Sequence, residues 1–385
     1  MKRRGFIYGA GSLVAASVFL SLGEDKETEN NKSIKRVLPE KFEQAVLKAI
    51  AYGLNAPNPH NTQAWKFLLI SDTEMLFYVD ESRLLTNTDP TTRQIHIGCG
   101  CFLTCCKIGM AEIGFETHIT LFPEGHDSYE LASIGKAPVA SLSFSKQSGV
   151  KKNPLADQLF VRRTSRLMYL DEEVLNEDFD RIMELVAPVS TEINLVNEPS
   201  RLDQLLPILA EGMEVETYTY SAHEESRKWF RENDDRIEKE RDGINLPGAG
   251  VSGIKKWIAE RQLKGLKEEK WHAKNMNKYS LKSHYNKVIQ TKGIVTVKTS
   301  SNTFQDWLLA GMEYARLQLA SYQLGYSLHP LSQVLQEYKE MDILRLKFEQ
   351  KMGVKNEEKI QMVARMGKSP EAYLSYRRWI EDMLV

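Results

Sequence analysis

The segment Ala56-Pro-Asn-Pro-His-Asn-Thr-Gln-Ala-Trp65 holds the densest set of side chains able to grip a small molecule. Asn61 and Gln63 each carry a donor and an acceptor, which suits the edge of a planar heterocycle, and Asn58 adds a third amide. Pro57 and Pro59 fix φ around them and would hold those amides in place. On composition alone an ordinary polar turn is equally open. His60 is the one candidate acid–base group in the run, and a structural histidine explains it as well. A second set is cationic: Arg162, Arg163, Thr164 and Arg166, with Arg377 and Arg378 near the C-terminus. Guanidinium forks suit a dianionic phosphate, whereas ordinary surface ion pairs are the bland alternative. The four cysteines, Cys99, Cys101, Cys105 and Cys106, follow neither a zinc nor a thioredoxin spacing. On one helix they point in several directions, so buried thiols are expected and no metal site. No catalytic acid–base residue is assigned.

The elements that must position these groups read as two rounds of one pattern. Residues 40–53 form an amphipathic helix through Phe42, Ala45, Val46, Ala49 and Ile50, stopped by Asn55, Pro57 and Pro59. Strands follow at 66–71 and 75–80, then an almost wholly apolar helix over 94–114, then strands at 118–122 and 138–144. The round partly restarts with a helix over 171–187, a strand at 192–196, a second long apolar helix over 303–325 and a strand at 359–366. A diverged internal duplication accounts for this order. Between 196 and 303 lies a long insertion. Residues 224–242 carry dense charge of both signs, Leu246-Pro-Gly-Ala-Gly250 breaks the chain, and 254–290 is helical in composition with excess lysine. Trp257, Ile258, Leu263, Leu266 and Trp271 leave three readings open: a solvent-facing helical pair, a lid, or a membrane-surface element.

The whole chain of 385 residues is 42% hydrophobic and 27% charged, ordinary for a globular protein. Its formal net charge of -1 argues against nucleic acid as a partner. Arg3-Arg4 ahead of a mildly apolar run from Ile7 to Leu22 resembles a twin-arginine export signal, with a plain anchor as the alternative. Residues 1–23 are therefore a signal or anchor and 24–36 a polar linker. Export to the periplasm or cell envelope is expected, with membrane association, if any, through the N-terminus.

The loop at 56–65 resembles the A-P-S-x-x-N-x-Q-P-W-x-F signature of the nitroreductase family, with Asn58 for serine and Ala64 for proline. Arg162–Arg166 resembles the family's R-x-S-x-R segment, and Gly367 with Tyr376-Arg-Arg378 its closing glycine and arginine-bearing segment. Asp89-Pro-Thr-Thr-Arg93 and Asp306-Trp-Leu-Leu-Ala-Gly311 look like the Acg-type branch, in which two subunits are fused in one chain. The resemblance covers about residues 38–385, weakest over 224–300. It implies an α+β fold of two related halves, each with a mainly antiparallel sheet flanked by helices: residues 37–150, and residues 151–385 with a helical lid at about 221–300. It also implies a monomer shaped like a fused dimer, binding FMN through Pro57, Asn58, Pro59, Asn61, Gln63, Arg162, Arg163, Thr164, Arg166, Arg377 and Arg378. The amide loop occurs only in half one and the arginine run only in half two, so one FMN per chain is expected, at the seam. The implied activity passes electrons from reduced flavin to a small acceptor such as a nitroaromatic or quinone. Export makes NAD(P)H a doubtful donor, which leaves a flavin-sequestering protein with a closed lid as the alternative.

Overall fold

The computed structural model describes residues 35–355 and 357–385; the expected signal, and the linker up to residue 34, lie outside the described residues. The first round comprises helix α1 (Ala45–Gly53), strands β1 (Trp65–Leu69) and β2 (Glu74–Val79), helix α2 (Arg93–Glu112), and strands β3 (Phe115–Leu121) and β4 (Ala140–Lys146). The second opens with α3 (Asn176–Val186), β5 (Glu192–Val196) and α4 (Pro199–Tyr218). An insertion follows: α5 (Tyr220–Lys228), β6 (Phe230–Arg231), α6 (Asp234–Glu240), β7 (Ile244–Asn245), α7 (Gly253–Gln262), α8 (Glu268–Trp271) and α9 (Lys274–Ile289). The round then closes with β8 (Gly293–Thr299), α10 (Phe304–Gln323), β9 (Ser327–Pro330), α11 (Asp342–Met352) and β10 (Lys359–Gly367).

Two four-stranded sheets result, in the orders β1-β2-β4-β3 and β5-β8-β10-β9, and every pairing within them is antiparallel. Each sheet thus pairs its strands in the order first, second, fourth, third, with a long helix between second and third. The class is α+β, as the sequence led us to expect. One boundary needs correction. The insertion ends near 290 rather than 300, because Gly293–Thr299 is a strand of the sheet and nearly all of it is buried. Its Ile-Val-Thr-Val core is β-branched, as an interior strand requires, but lysines on both sides hide it in the sequence.

Helices α2 and α10 form the core of the molecule, packed on one another through two glycines. A Cβ on Gly100 would stand 2.0 Å from the Leu308 carbonyl oxygen, and one on Gly311 would stand 2.0 Å from that of Ile97. Each glycine lets one backbone touch the other, and the two contacts are mirror uses of the same device. Both pairs of counterparts, Gly100 with Gly311 and Ile97 with Leu308, are 211 residues apart. Gly114 and Gly325 keep that spacing and end their helices in the left-handed conformation that favours glycine, at φ 76° and 79°. Helix starts are equally deliberate. The Asp89 carboxylate accepts from the N–H groups of Gln94 (3.0 Å) and Ile95 (2.9 Å), and Thr303 and Asp306 form a capping box on α10. Arg93 crosses to the second half, donating to the carbonyls of Gln361 (2.9 Å) and Leu335 (2.7 Å). All four cysteines are free and buried in α2. No helix among the described residues is long and apolar enough to cross a membrane.

The chain's end returns to the first half. Val385 donates to the Phe67 carbonyl at the edge of β1 (3.0 Å), and the Arg377 N–H donates to the Lys35 carbonyl (3.1 Å). The C-terminal arginines therefore sit where the two halves meet.

Candidate functional site

The loop after α1 is held in a conformation its sequence would not choose freely. His60, Asn61 and Gln63 all have positive φ (49°, 53° and 49°), each costing on the order of 1 kcal/mol for a residue with a Cβ. The amides offset that cost. Asn58 Oδ1 accepts from the Gln63 N–H (2.9 Å) and its Nδ2 donates to the Ala56 carbonyl (3.2 Å). Asn61 Oδ1 accepts from Arg377 (2.7 Å) while Nδ2 donates to the Tyr376 carbonyl (3.3 Å). Gln63, fully buried, accepts from the Arg378 N–H (2.8 Å) and donates to the Arg241 carbonyl (3.0 Å). The loop is thus tied to the C-terminal segment and to the insertion at once. Pro57 is half-buried, and Pro59 with Asn58 lies against Gly98 of α2, where a Cβ would meet them at 3.2–3.3 Å.

Beneath the loop lie two buried guanidinium groups that meet no carboxylate among the described residues. Arg377 donates to the carbonyls of Leu54 (2.6 Å) and Ala56 (3.3 Å) as well as to Asn61. Arg162 donates to the Asn55 carbonyl (3.2 Å) and reaches Gln318 Oε1 at 3.5 Å, and its buried Nε has no partner among the described residues. Burial, then the neighbouring Arg162, pushes Arg377 down to about 9. Burial likewise lowers Arg162. The adjacent Cys105 thiol supplies no counter-charge: burial pushes it up to about 12 against the pull of both arginines, so it stays neutral.

A second cationic group lies under the insertion. Arg166 reaches the Gly248 carbonyl at 3.5 Å, and Lys287 of α9 donates to the Ala249 carbonyl (3.1 Å). Fully buried Arg365 of β10 donates to His329 Nδ1 (3.0 Å) and stacks over Tyr169 at 4.0 Å. His284, whose buried Nε2 has no partner among the described residues, lies edge-on to His329, the ring centroids 6.4 Å apart. Burial and mutual repulsion lower Arg166, Lys287 and His329 and push His284 down to about 4.

The remaining arginines have other duties. Arg163 turns to the C-terminal segment, meeting the Ala372 carbonyl (2.5 Å) and Glu371 (2.7 Å). Arg378 braces Gln63 through that residue's carbonyl (3.1 Å) and lies 3.8 Å from Asp80. Thr164 forms a parallel bridge to Leu328 of β9. The structure therefore brings Arg162 and Arg377 to the amide loop, places Arg166 in the neighbouring group, and leaves Arg163 outside both.

The insertion covers this region directly. Besides Arg241, the Gly243 N–H donates to the Asn61 carbonyl (3.2 Å), and Asp242 pairs with Arg83. Glu225 of α5 accepts from the Thr88 N–H (2.8 Å) and hydroxyl (2.7 Å). His60 Nε2 meets Ser226 Oγ (3.3 Å), which in turn donates to Glu216 (3.3 Å). Burial pushes His60 down to about 4 and Glu216 up to about 7, so both are neutral just below neutrality.

No protein-family model matches the chain. The Acg protein of Mycobacterium tuberculosis, whose name places it among the NAD(P)H nitroreductases, is 31% identical over 126 residues, 33% of this chain and 36% of that protein. A second M. tuberculosis protein named in the same way is 28% identical over 170 residues, 44% of this chain and 46% of the relative. Over these segments the chain is similar to Acg-type proteins that carry the nitroreductase name. It spans less than half the length of the curated relatives it matches. Among solved structures, an FMN- and NADPH-dependent nitroreductase from a Sphigopyxis strain covers 59% of this chain and 96% of its own at 13% identity and a TM-score of 0.37. A nitroreductase-like protein from Bacillus cereus covers 62% and 98% at 10% identity and a TM-score of 0.35.

Relative to the motifs of the nitroreductases, the residues missed in the sequence are Arg365, Lys287, His284 and His329. Arg365 had a legible signal, since it interrupts the otherwise apolar run Met362-Val-Ala-Arg-Met366, and a charged residue in a buried strand needs a reason. Lys287 and His284 had none, being two polar residues in a lysine-rich helix.

Proposed function

We propose that this chain holds one FMN at the seam between its halves and works as an oxidoreductase, passing electrons to a nitroaromatic, quinone or similar small acceptor. The observation that carries this reading is the Arg162–Arg377 pair: among the described residues these two buried guanidinium groups face neutral acceptors, and Arg162 Nε has no partner. Uncompensated buried charge of this kind suits a phosphate dianion. Arg162 and Arg377 would hold the phosphate, and Arg166 would stand at the neighbouring edge of the site. The 57–63 loop would wall the site through its prolines and backbone, because its amide side chains are already committed within the protein. Bound FMN would supply the electron-carrying chemistry, and the chain would orient it and exclude water. The two halves would then be two fused subunits that together make one working site.

The visible spectrum of the purified protein, with FMN titrated in, tests this. Flavin bands, released as FMN on denaturation at one per chain, are the expected result. A colourless protein that takes up no added FMN, or two FMN per polypeptide, would overturn it.

A second reading, a flavin-sequestering protein with little turnover, is favoured by the insertion's grip on Gln63 and Asn61. Nitroaromatic reduction with NADPH separates the two. An Asp242→Asn variant, loosening the pair with Arg83, raises turnover several-fold if the lid is inhibitory and leaves it unchanged otherwise. Export is a further part of the proposal. Replacing Arg3 and Arg4 by lysine is expected to keep the protein out of the cell envelope, and undiminished export would refute a twin-arginine route.

A further inference from the structure

The pairing of α2 with α10 relates every position on one helix to a counterpart 211 residues away, as Gly100 is to Gly311. The Arg162–Arg377 site is walled on those helices by Gln318, which touches Arg162, and by Cys105, beside both arginines. Their counterparts are Lys107 and Arg316. Both line a single cavity of about 250 Å³ on another face of the helix pair, together with Ile108, Phe115, Met312 and Lys151. The molecule therefore has a second seam, built on the same frame as the first and lined by different chemistry.

That chemistry is specific. Ile108, Phe115 and Met312 give an apolar surface, and Lys107, Lys151 and Arg316 surround it with positive charge against one carboxylate, Glu116. Neither Lys107 nor Lys151 has an ion-pair partner among the described residues. Arg316 has a loose one: its Nη2 lies 3.5 Å from Glu313, while Glu313 is engaged by the N–H groups of Val189 and Ser190 (both 2.8 Å) and by the Thr191 hydroxyl. The Nε of Arg316 and the hydroxyl of Thr117, both buried at this cavity, have no hydrogen-bond partner among the described residues. The first seam draws Arg162 from the segment ahead of α3 and Arg377 from the C-terminal segment, and the segment ahead of α1 contributes nothing to this cavity's lining.

We infer that the second seam is a binding site for a small planar anion, an aromatic carboxylate in chemical class. The ring would lie on Ile108, Phe115 and Met312, and the carboxylate would be held by Arg316 and Lys107. A flat apolar body with one charged end matches an apolar floor with cations at its edge. This does not depend on whether FMN occupies the first seam.

The test uses the full chain and para-trifluoromethylbenzoate as the probe, followed by fluorine NMR, with the matching neutral benzamide as the control. Saturable binding of one probe per chain is expected, with the benzamide at least tenfold weaker. Arg316→Gln and Lys107→Gln should each weaken the probe at least fivefold. Ala111→Phe, which fills the cavity from α2, should abolish binding while the thermal midpoint shows the variant folded. Arg377→Gln at the first seam should leave probe binding unchanged, and FMN uptake is read on the same samples, so failure at one seam is distinguishable from failure at the other. No saturable binding at millimolar probe would overturn the inference. So would equal binding of the benzamide, or a probe affinity indifferent to Arg316, Lys107 and Ala111. Because Lys107 is exposed and Lys107→Gln changes no packing, loss of folding in the other variants leaves the test decisive.

Discussion

Two neighbouring arginines, alike in type but not in role, define the residue scale. Arg162 and Arg163 are adjacent, yet one lies under the amide loop and the other faces Glu371 and the Ala372 carbonyl. If the Arg162–Arg377 pair holds the phosphate, Arg377→Gln should weaken FMN at least tenfold by fluorescence titration, since a hydrogen bond to a charged group contributes roughly 1.5–3 kcal/mol. Arg163→Gln should change affinity less than twofold. Equal losses in the two variants would remove the distinction the geometry makes. Gln63 offers a separate check. Both ends of its amide are used, by Arg378 and Arg241, so Gln63→Leu leaves buried groups unpaired. It should cost roughly 1–3 kcal/mol in denaturant unfolding, whether or not flavin is present.

At the scale of elements, the α2–α10 contact is the most constrained feature. A methyl on Gly100 or Gly311 would overlap a backbone carbonyl of the facing helix, and backbone does not yield as a side-chain tip does. Gly100→Ala and Gly311→Ala should each destabilise by about 1–3 kcal/mol or more, against a gain where a helical glycine is merely replaced by alanine. Gly353→Ala, in open space at the end of α11 with φ 71°, should lose less. Thermal midpoints of the three variants decide it, and equal midpoints would deny the helix contact its role. The halves were visible in the sequence at this scale because each long helix is apolar almost all round. The strand at 293–299 was not, because its neighbours' charge overwhelmed a seven-residue signal.

For the whole molecule, buried titratable groups set the pH response. Burial holds His60, His96, His223 and His284 at about 4, and His329 is lowered as well. Each is neutral in the folded protein but takes a proton in the unfolded chain below about 6.5. Their contribution to stability is therefore present above that pH and lost as pH falls toward 4. Asp89 and Glu216 act in the opposite sense. Burial raises them to about 6 and about 7, so their contribution is complete below the ordinary carboxyl range and lost as pH rises through those values. Five histidines against two carboxyls leave a net loss of stability on acidification from pH 6.5 to 4. The thermal midpoint should fall across that window, and more steeply in Glu216→Gln, which removes one opposing group. A midpoint that is flat or rises on acidification would contradict the burial of these histidines.

The resemblance to nitroreductase motifs implied the α+β class and a site at the seam; the sequence by itself determined the two rounds of elements, the buried thiols of α2 and the two sets of residues, amide and cationic. These follow from periodicity, punctuation by Pro and Gly, and residue type, all of which act over a few neighbouring positions. Only the tertiary structure decided what those residues face. It spent the amides of Asn58, Asn61 and Gln63 on the protein itself, divided the arginines between two groups, and laid Arg241 and Gly243 over the loop. It also opened a second seam from Lys107 and Arg316, which lie 209 positions apart in a sequence that gives neither any mark. Partnership across such separations depends on how helices and sheets pack, and no local pattern records it.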